Sequence, residues 1–281
     1  MNCVVCGSDL VRGVYGKDEI RWECWEQDKH IFECGICKLR FLHPPWTQEE
    51  IDRLYHNYFN ETDFHGQVQA KRITSYLEKY VKYAHLILEI GCGVGDNISR
   101  LRRKFHPKKW IIGIDKDPHV CNGVYSFNFG YEDFKPDVKF DFIYGIQLFE
   151  HIQNPRNFIC KLLFLLNANG RFLLEIPNTD DPLLTLYKVE EFQKFYNIPH
   201  HLFFYNEKNI RLFFENLHVP IKVIRYQKYG ILNHLRWLIL KRPGNFHPHV
   251  PIIDDIYKYI LTKIFKISDT LIVIGKKEGK Y

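Results

Sequence analysis

The segment that decides the fold is Leu86–Asp96, which reads LILEIGCGVGD. Its first five residues, Leu86–Ile90, are almost entirely apolar, which is typical of a strand buried on both faces of a parallel sheet. Gly91, Gly93 and Gly95 follow, and a helical pattern begins directly after them. A strand that passes through a glycine-rich turn into a helix is the opening unit of a doubly wound α/β sheet.

The same alternation of apolar strands and amphipathic helices continues along the chain and predicts an α/β domain over residues 81–281. The predicted strands are Leu86–Ile90, Trp110–Ile114, Phe140–Tyr144, Arg171–Ile176, Ile221–Tyr226 and Thr270–Gly275. The predicted helix faces are formed by Ile98, Leu101 and Phe105 and by Phe158, Leu162 and Leu165. Residues 177–200 and 227–269 exceed ordinary connections, and we interpret them as insertions of the lid or specificity type.

The spacing of the glycines indicates what kind of ligand this turn would take. A dinucleotide fingerprint requires a third glycine where this chain has Asp96, and the Gly-Lys-Ser/Thr of a phosphate loop is absent. Asp115 stands twenty residues beyond Gly95, at the end of the next predicted strand. An acidic residue at that place can accept hydrogen bonds from both hydroxyls of a ribose. The pattern therefore predicts a nucleoside ligand bound without phosphates.

The N-terminal residues 1–43 carry two Cys-x-x-Cys pairs. Cys3 and Cys6 form the first, and Cys34 and Cys37 form the second, with 27 residues between them. Four thiolates in two such pairs suit a tetrahedral Zn²⁺, and a site closed by four protein ligands is structural rather than catalytic. We predict a small zinc ribbon, with four buried or redox-active cysteines as the alternative.

Residues 44–80 predict a helical cap or linker between the ribbon and the α/β domain. Thr47 and Glu50 have the spacing of a capping box at a helix N-terminus. Tyr55 and Tyr58 follow at helical spacing, and they either close a cofactor cleft or belong to the core of the cap.

Composition places the chain among globular proteins. It has 281 residues, of which 46% are hydrophobic and 26% charged. Its first residues lack the apolar run of a secretory signal, and no stretch approaches the ~20 apolar residues of a membrane span. Eight cysteines without an export signal favour a reducing compartment, where cysteine pairs bind metal more often than they form disulfides. We therefore expect a cytoplasmic protein.

Four runs of sequence between residues 81 and 226, EIGCGVG, GID, GYEDF and FDFIYGIQLFEHI, resemble the class I S-adenosylmethionine-dependent methyltransferases. The resemblance implies a Rossmann-like methyltransferase sheet and S-adenosylmethionine as the cofactor. It places Asp115 at the ribose and Gln147 near the methyl-bearing end. The other residues that it assigns to the cofactor are Glu89, Gly91, Gly93 and Gly95 at the methionine part and Tyr131, Glu132 and Asp133 around the adenine.

A narrower resemblance covers the whole arrangement. The cysteine ribbon, the run RFLHPPWTQEEIDRLYHNYF and the run IPHHLFFY at 198–205 are similar to enzymes that methylate nucleotide-linked sugars. That resemblance implies a small acceptor, a nucleotide-linked or phosphorylated sugar of surface polysaccharide synthesis. It also makes His201 the candidate catalytic base and His200 its neighbour. Alternatively, both are ordinary loop histidines.

The charge distribution separates this hypothesis from its alternative, a ribosomal-RNA methyltransferase with an N-terminal zinc module. The net charge is +6, and six basic residues cluster at 100–109, while the remaining 33 basic residues equal the 33 acidic ones. Ligands of a doubly wound sheet bind at the carboxyl ends of the strands. The cluster is predicted at the opposite edge, so we expect no nucleic-acid partner.

One further pattern lies in the second insertion. Six isoleucines mark one face of an amphipathic helix over 252–267, with Lys258, Lys263 and Lys266 nearby. This helix either rests on a membrane surface, as a peripheral contact, or packs on the sheet or across a dimer interface.

Overall fold

The structure is a computed structural model. It describes residues 1–16, 29–47, 49–50, 77–117, 120–121, 125–198, 201–244 and 250–278. Tyr55, Tyr58, His200 and most of the predicted cap lie outside the described residues. The capping box of Thr47 and Glu50 is confirmed, because the Glu50 carboxylate accepts from the Thr47 N–H at 2.6 Å and the Thr47 hydroxyl accepts from the Glu50 N–H at 3.3 Å.

The chain forms two compact units that interleave along the sequence. The Cys-rich unit comprises Met1–Trp46, Ile176–His218 and Val223–Ile272. The glycine-loop unit comprises Thr47–Glu175, Val219–Lys222 and Val273–Tyr281.

The strands and helices follow in chain order. The strands are β1 (Val11–Tyr15), β2 (His30–Cys34), β3 (Arg40–His43), β4 (Leu86–Ile90), β5 (Trp110–Asp115), β6 (Ser126–Asn128), β7 (Phe140–Ile146), β8 (Leu166–Pro177), β9 (Phe203–Phe204), β10 (Ile221–Tyr226) and β11 (Thr270–Lys276). The helices are α1 (Asp96–Phe105), α2 (Pro155–Leu165), α3 (Pro182–Thr185), α4 (Glu190–Tyr196), α5 (Glu207–Glu215), α6 (Ile231–Leu240) and α7 (Pro251–Tyr259). A 3₁₀ turn spans Phe149–His151, and a π-helical turn spans Ile260–Phe265. In the part of the chain that the structure describes, no helix is long and apolar enough to cross a bilayer.

The central sheet confirms the predicted α/β fold. Its strand order is β10-β11-β8-β7-β4-β5-β6. The pairs β4–β5, β4–β7, β5–β6 and β7–β8 are all parallel. Strand β4 lies between β5 and β7. The strands β5 and β6, which follow β4 in the chain, lie on one side of it, and β7 lies on the other side. That reversal creates a crevice at the carboxyl end of β4, where ligands of doubly wound sheets bind.

The core of the glycine-loop unit is formed by the strands that carry the apolar runs. Ile87, Leu88 and Ile143 are fully buried on neighbouring strands. The predicted helix faces are also largely confirmed, since Ile98 and Leu101 of α1 are buried. The α2 residues Phe158, Leu162 and Leu165 are buried as well.

The amino ends of three parallel strands are joined by Asp141. Its Oδ2 atom accepts from the backbone N–H groups of His85 at 2.9 Å and Leu86 at 3.1 Å. Its Oδ1 atom accepts from the Asn167 side-chain amide at 2.7 Å. Burial acts to raise the pKa of Asp141, but these donors outweigh it and hold the pKa below its usual value.

The Cys-rich unit contains a second, antiparallel sheet in the order β1-β2-β3-β9. Phe32 of β2 lies opposite Phe41 of β3, which in turn lies opposite Phe203 of β9. The turn between β2 and β3 begins at Cys34, the last residue of β2, so the sheet fixes the position of the second cysteine pair.

Candidate functional site

The glycine turn after β4 requires glycine at each of its three positions. The backbone φ angles of Gly91, Gly93 and Gly95 are 71°, 48° and 78°. Residues other than glycine rarely adopt this left-handed backbone conformation. The turn is fastened to β5, because the Gly91 and Cys92 N–H groups both donate to the Ile114 carbonyl, at 2.9 and 3.2 Å.

The space above the turn differs between the first and last glycine. A Cβ atom on Gly91 would lie 2.9 Å from the end of the Leu148 side chain, which would have to shift. A Cβ atom on Gly95 would meet nothing within 4 Å. The turn is therefore packed at its start and open at its end, where a ligand can approach the backbone.

Asp115 lies at the carboxyl end of β5 and holds the turn in place. Its Oδ2 atom accepts from the Gly93 N–H at 2.8 Å, and its Oδ1 atom accepts from the Asp117 N–H at 3.0 Å. Burial raises the pKa of Asp115, and these N–H groups partly oppose the shift. Each carboxylate oxygen keeps acceptor capacity for a further donor, such as a hydroxyl group.

Glu89 lies beneath the turn and is only 1% exposed. Its Oε1 atom accepts from the Asn97 amide at 3.0 Å, and its Oε2 atom accepts from the Tyr144 hydroxyl at 3.1 Å. Burial raises the pKa of Glu89 to about 8, despite these two donors, and the nearby Asp115 carboxylate adds to the shift. Glu89 is therefore mostly protonated at neutral pH.

Two buried acceptors lie at the start of α1. The Asp96 Oδ2 atom and the Asn97 Oδ1 atom are buried and lack a hydrogen-bond partner among the residues that the structure describes. Unsatisfied buried acceptors are costly and call for a donor from a ligand or from water. Together with the Asp115 carboxylate, they make this edge of the sheet suited to a ligand that brings hydrogen-bond donors or positive charge.

Gln147 follows β7, so it lies at the same edge of the sheet as the glycine turn. Its backbone φ is 51°, and its N–H donates to the Glu175 carbonyl at 2.9 Å. Its side-chain amide donates to the Glu175 carboxylate at 3.3 Å. The Gln147 side chain is thereby held by the end of β8.

Sequence reasoning missed the next two functional candidates, Glu150 and His151. They lie on the 3₁₀ turn that follows Gln147, and Glu150 is fully buried. The His151 Nε2 atom lies 3.8 Å from a carboxylate oxygen of Glu150. The signal that could have found them is a pair of adjacent titratable residues shortly after the end of β7.

The predicted adenine residues lie in a turn after β6. The Tyr131 ring packs edge-on against Phe158 of α2, with ring centroids 5.0 Å apart. Burial raises the pKa of the Tyr131 hydroxyl, and the Glu132 carboxylate adds to the shift. The turn is closed by the Asp133 N–H, which donates to the Gly130 carbonyl at 3.2 Å. Their role at the adenine stays a prediction.

His201, the predicted base, belongs to the Cys-rich unit. It stands two residues before β9, and its N–H donates to the Ile198 carbonyl at 3.1 Å. Its ring makes edge-on contacts with Tyr196 and Phe204, at centroid distances of 6.3 and 5.8 Å. These contacts orient the imidazole, and its catalytic role stays a prediction.

The four predicted metal ligands converge. The Sγ atoms of Cys3 and Cys37 lie 3.5 Å apart, as do those of Cys6 and Cys34, and all four lie within 4.8 Å of one another. A tetrahedral Zn²⁺ with its usual Zn–S distance separates its sulfur ligands by about 3.8 Å. The donor set and its spacing are therefore compatible with zinc.

Helix α5 holds both cysteine turns. The Asn216 amide donates to the Val5 carbonyl at 2.8 Å, and the Lys208 ammonium donates to the Ile36 carbonyl at 3.3 Å. Val5 lies between Cys3 and Cys6, and Ile36 lies between Cys34 and Cys37, so each turn is tied to the same helix.

Comparisons with known proteins agree with this geometry. Residues 56–217 match the family described as "Methyltransferase domain". A search of curated proteins finds no match. Among solved structures, the plantazolicin methyltransferase BpumL in complex with SAH is 18% identical, with 83% of this chain and 91% of that chain covered and a TM-score of 0.50.

Two further solved structures share the fold. A candidate histamine N-methyltransferase from Thermotoga maritima is 14% identical, with 81% of this chain and 98% of that chain covered and a TM-score of 0.51. A chain of the complex between the Haloferax volcanii Trm112 methyltransferase activator and a methyltransferase is 12% identical, with 80% and 97% covered and a TM-score of 0.53. The family match and the glycine turn at the switch point of the sheet lead to one conclusion: the chain belongs to the methyltransferase domain family and is an S-adenosylmethionine-dependent methyltransferase.

Proposed function

We propose that the enzyme methylates a small acceptor, a nucleotide-linked or phosphorylated sugar of surface polysaccharide synthesis. The observation that carries the proposal is the placement of the basic cluster at 100–109. It occupies the end of α1 and the start of β5, whereas the glycine turn lies at the start of α1. Helix α1 has ten residues and is therefore about 15 Å long.

Four of the six basic side chains of that cluster are also engaged within the protein. The Arg103 Nε atom donates to the Ser99 carbonyl at 3.4 Å. Arg102 donates to the Ile111 carbonyl at 3.2 Å and stacks over the Tyr125 ring. Lys104 pairs with the Glu78 carboxylate, and Lys109 donates to the Lys82 carbonyl at 2.9 Å. A nucleic-acid footprint needs basic side chains free to meet phosphates near the reacting group. The cluster lies at the other end of α1 from the glycine turn, and most of its side chains already have partners within the protein, which disfavours RNA as the acceptor.

The residues at the carboxyl edge of the sheet fit the cofactor. When bound, S-adenosylmethionine supplies a methyl group on a positively charged sulfur. We assign its methionine part to the glycine turn, where the unsatisfied acceptors of Asp96 and Asn97 suit an ammonium group. We assign its ribose hydroxyls to Asp115. The remaining assignments are Tyr131, Glu132 and Asp133 at the adenine and Gln147 near the methyl group.

The acceptor needs a nucleophilic atom in line with the methyl group. An alcohol becomes nucleophilic when a base with a pKa near neutral removes its proton, and neutral imidazole is such a base. We assign this role to His201, whose ring is oriented by Tyr196 and Phe204. His200, its neighbour, lies outside the described residues.

We further propose that Cys3, Cys6, Cys34 and Cys37 hold one structural Zn²⁺. Four protein thiolates leave no open position for substrate, so this metal would stabilise the ribbon and take no part in methyl transfer.

The acceptor class is tested by a transfer assay with labelled cofactor. We expect label in nucleotide sugars or sugar phosphates and none in ribosomal RNA. The matched control is Arg103→Glu combined with Lys108→Glu, which reverses two exposed charges of the basic cluster. This variant should methylate the sugar acceptor at the wild-type rate. The proposal would be refuted if the wild-type enzyme methylated ribosomal RNA and this variant did not.

A further inference from the structure

Helix α6 is apolar on the side that faces away from its unit. It buries Asn233, His234 and Trp237. On the opposite side, Leu235 and Ile239 are exposed, Ile239 by 72%. A surface helix of a globular protein normally turns polar residues outward. The outward side of α6 therefore has the character of a contact surface.

Helix α7 also exposes its apolar residues and buries a polar one. Its buried residue is Asp254, whereas Ile252, Ile256 and Tyr259 are exposed. These three residues have the spacing i, i+4 and i+7, which places them on one face of the helix. Ile252 is 75% exposed and Ile256 is 56% exposed. Of the six isoleucines predicted to form an apolar stripe, Ile252, Ile253, Ile256 and Ile264 are exposed, whereas Ile260 and Ile267 are half-buried.

Hydrogen bonds fix the rotation of α7. The Asp254 carboxylate accepts from the Ile231 N–H at 2.9 Å and from the Val250 N–H at 3.0 Å, at the starts of α6 and α7. The Tyr257 hydroxyl pairs with the His234 imidazole and, at 2.8 Å, with the Tyr187 hydroxyl. Turning the isoleucines inward would break these contacts, so their exposure is built into the packing.

The charges around this surface are mostly positive. Ile264 and Phe265 of the π-helical turn are exposed and are flanked by the exposed Lys263 and Lys266. Lys241 and Arg242 follow α6 and are exposed as well, and Lys241 lies 3.6 Å from the exposed Glu191 carboxylate of α4. Among the described residues of 230–268, Asp255 is the exposed acidic residue.

This charge pattern selects the partner. A second copy of the chain in a two-fold contact would bring two copies of the same predominantly basic surface together, which is unfavourable. An anionic lipid surface supplies the opposite charge, and exposed isoleucine and phenylalanine insert readily at the boundary between headgroups and acyl chains. We propose that α6, α7 and the π-helical turn dock the enzyme on an anionic phospholipid bilayer. The proposal does not depend on the identity of the methyl acceptor.

The test is co-sedimentation of the full chain with lipid vesicles. One set of vesicles is phosphatidylcholine alone, and the other contains about one third phosphatidylglycerol. We expect binding to the anionic vesicles only, and added salt should weaken it. Ile252→Ser combined with Ile256→Ser should weaken binding by about tenfold or more, since two apolar side chains lose their insertion. Lys263→Glu combined with Lys266→Glu should weaken it by about tenfold or more as well.

The matched control replaces two exposed apolar residues elsewhere, Tyr83→Ser with Val138→Ser, and should leave vesicle binding unchanged. Because all of these positions are exposed, each variant should retain wild-type affinity for SAH, which verifies its fold. Equal binding to neutral vesicles, or no effect of the isoleucine changes, would overturn the proposal. The proposal would also be overturned if the wild type bound no vesicles and formed a dimer in light scattering, and if Ile252→Ser combined with Ile256→Ser converted that dimer to a monomer.

Discussion

Replacing Glu89 by glutamine should change how the stability of the protein depends on pH. Glu89 is buried beneath the glycine turn, and burial raises its pKa to about 8 from an ordinary value of 4.5. Glutamine has the same shape, is neutral at every pH and can still hydrogen-bond Asn97 and Tyr144. The substitution therefore removes one titration and leaves the packing in place.

The magnitude follows from the two pKa values. Between pH 4.5 and pH 8 the native protein keeps the Glu89 proton, and the unfolded chain has released it. The free energy of unfolding therefore falls as pH rises, by up to about 1.4 kcal/mol per pH unit. With a native pKa of about 8, the wild type should lose roughly 2 kcal/mol relative to Glu89→Gln between pH 6 and pH 8.

The assay is urea unfolding of both proteins at several values of pH between 5 and 8. Comparing the two proteins cancels the other titrating groups. Asp141→Asn is the control, because the pKa of Asp141 is lowered and its contribution is lost only as pH falls below about 3.8. Its stability difference from the wild type should stay constant between pH 6 and pH 8. A constant difference for Glu89→Gln over the same range would refute the reasoning.

The remaining predictions concern the proposed ligands and the base. Asp115→Ala should weaken SAH binding by roughly 1–3 kcal/mol in calorimetry, and unchanged affinity would disprove the ribose assignment. Elemental analysis should find about one zinc per chain, with the metal lost and stability lowered in Cys34→Ser; wild-type protein without zinc would contradict this. His201→Ala should keep SAH affinity and lower turnover by roughly 10²–10⁴-fold, and the wild-type rate should rise with pH as imidazole becomes neutral. If His151→Ala loses turnover instead, the base lies in the glycine-loop unit.

The parts of the fold that sequence predicted are those with strong local patterns. The predicted strand Leu86–Ile90 has the same ends in the structure, because an almost entirely apolar run is followed there by glycine. The strand Ser126–Asn128 was missed, since its three residues have no apolar pattern and it pairs at the edge of the sheet. The strand Phe203–Phe204 was missed because its two residues pair with β3, more than 160 residues away in the chain.

The chemistry of the cofactor site was predicted only in part. The glycine turn and Asp115 could be placed from their spacing, because the turn demands a particular residue type at each position. The protonated state of Glu89 could not, since it arises from burial and from the nearby Asp115 carboxylate, which only folding brings about and which outweigh the donors on α1 and β7. The same holds for Glu150 and His151, whose proximity depends on the 3₁₀ turn.

Helix α7 shows why a periodic pattern predicts a helix but not its orientation. The isoleucine spacing correctly indicates a helix with one apolar face, and burial of that face would normally be favourable. Asp254 holds the opposite face of the helix inward, because its carboxylate accepts hydrogen bonds from N–H groups at the starts of both α6 and α7. Those groups would lack this acceptor if the helix turned its isoleucines inward, and unsatisfied N–H groups are costly to bury. The isoleucines are thus left on the surface, where burying them requires a partner outside the chain.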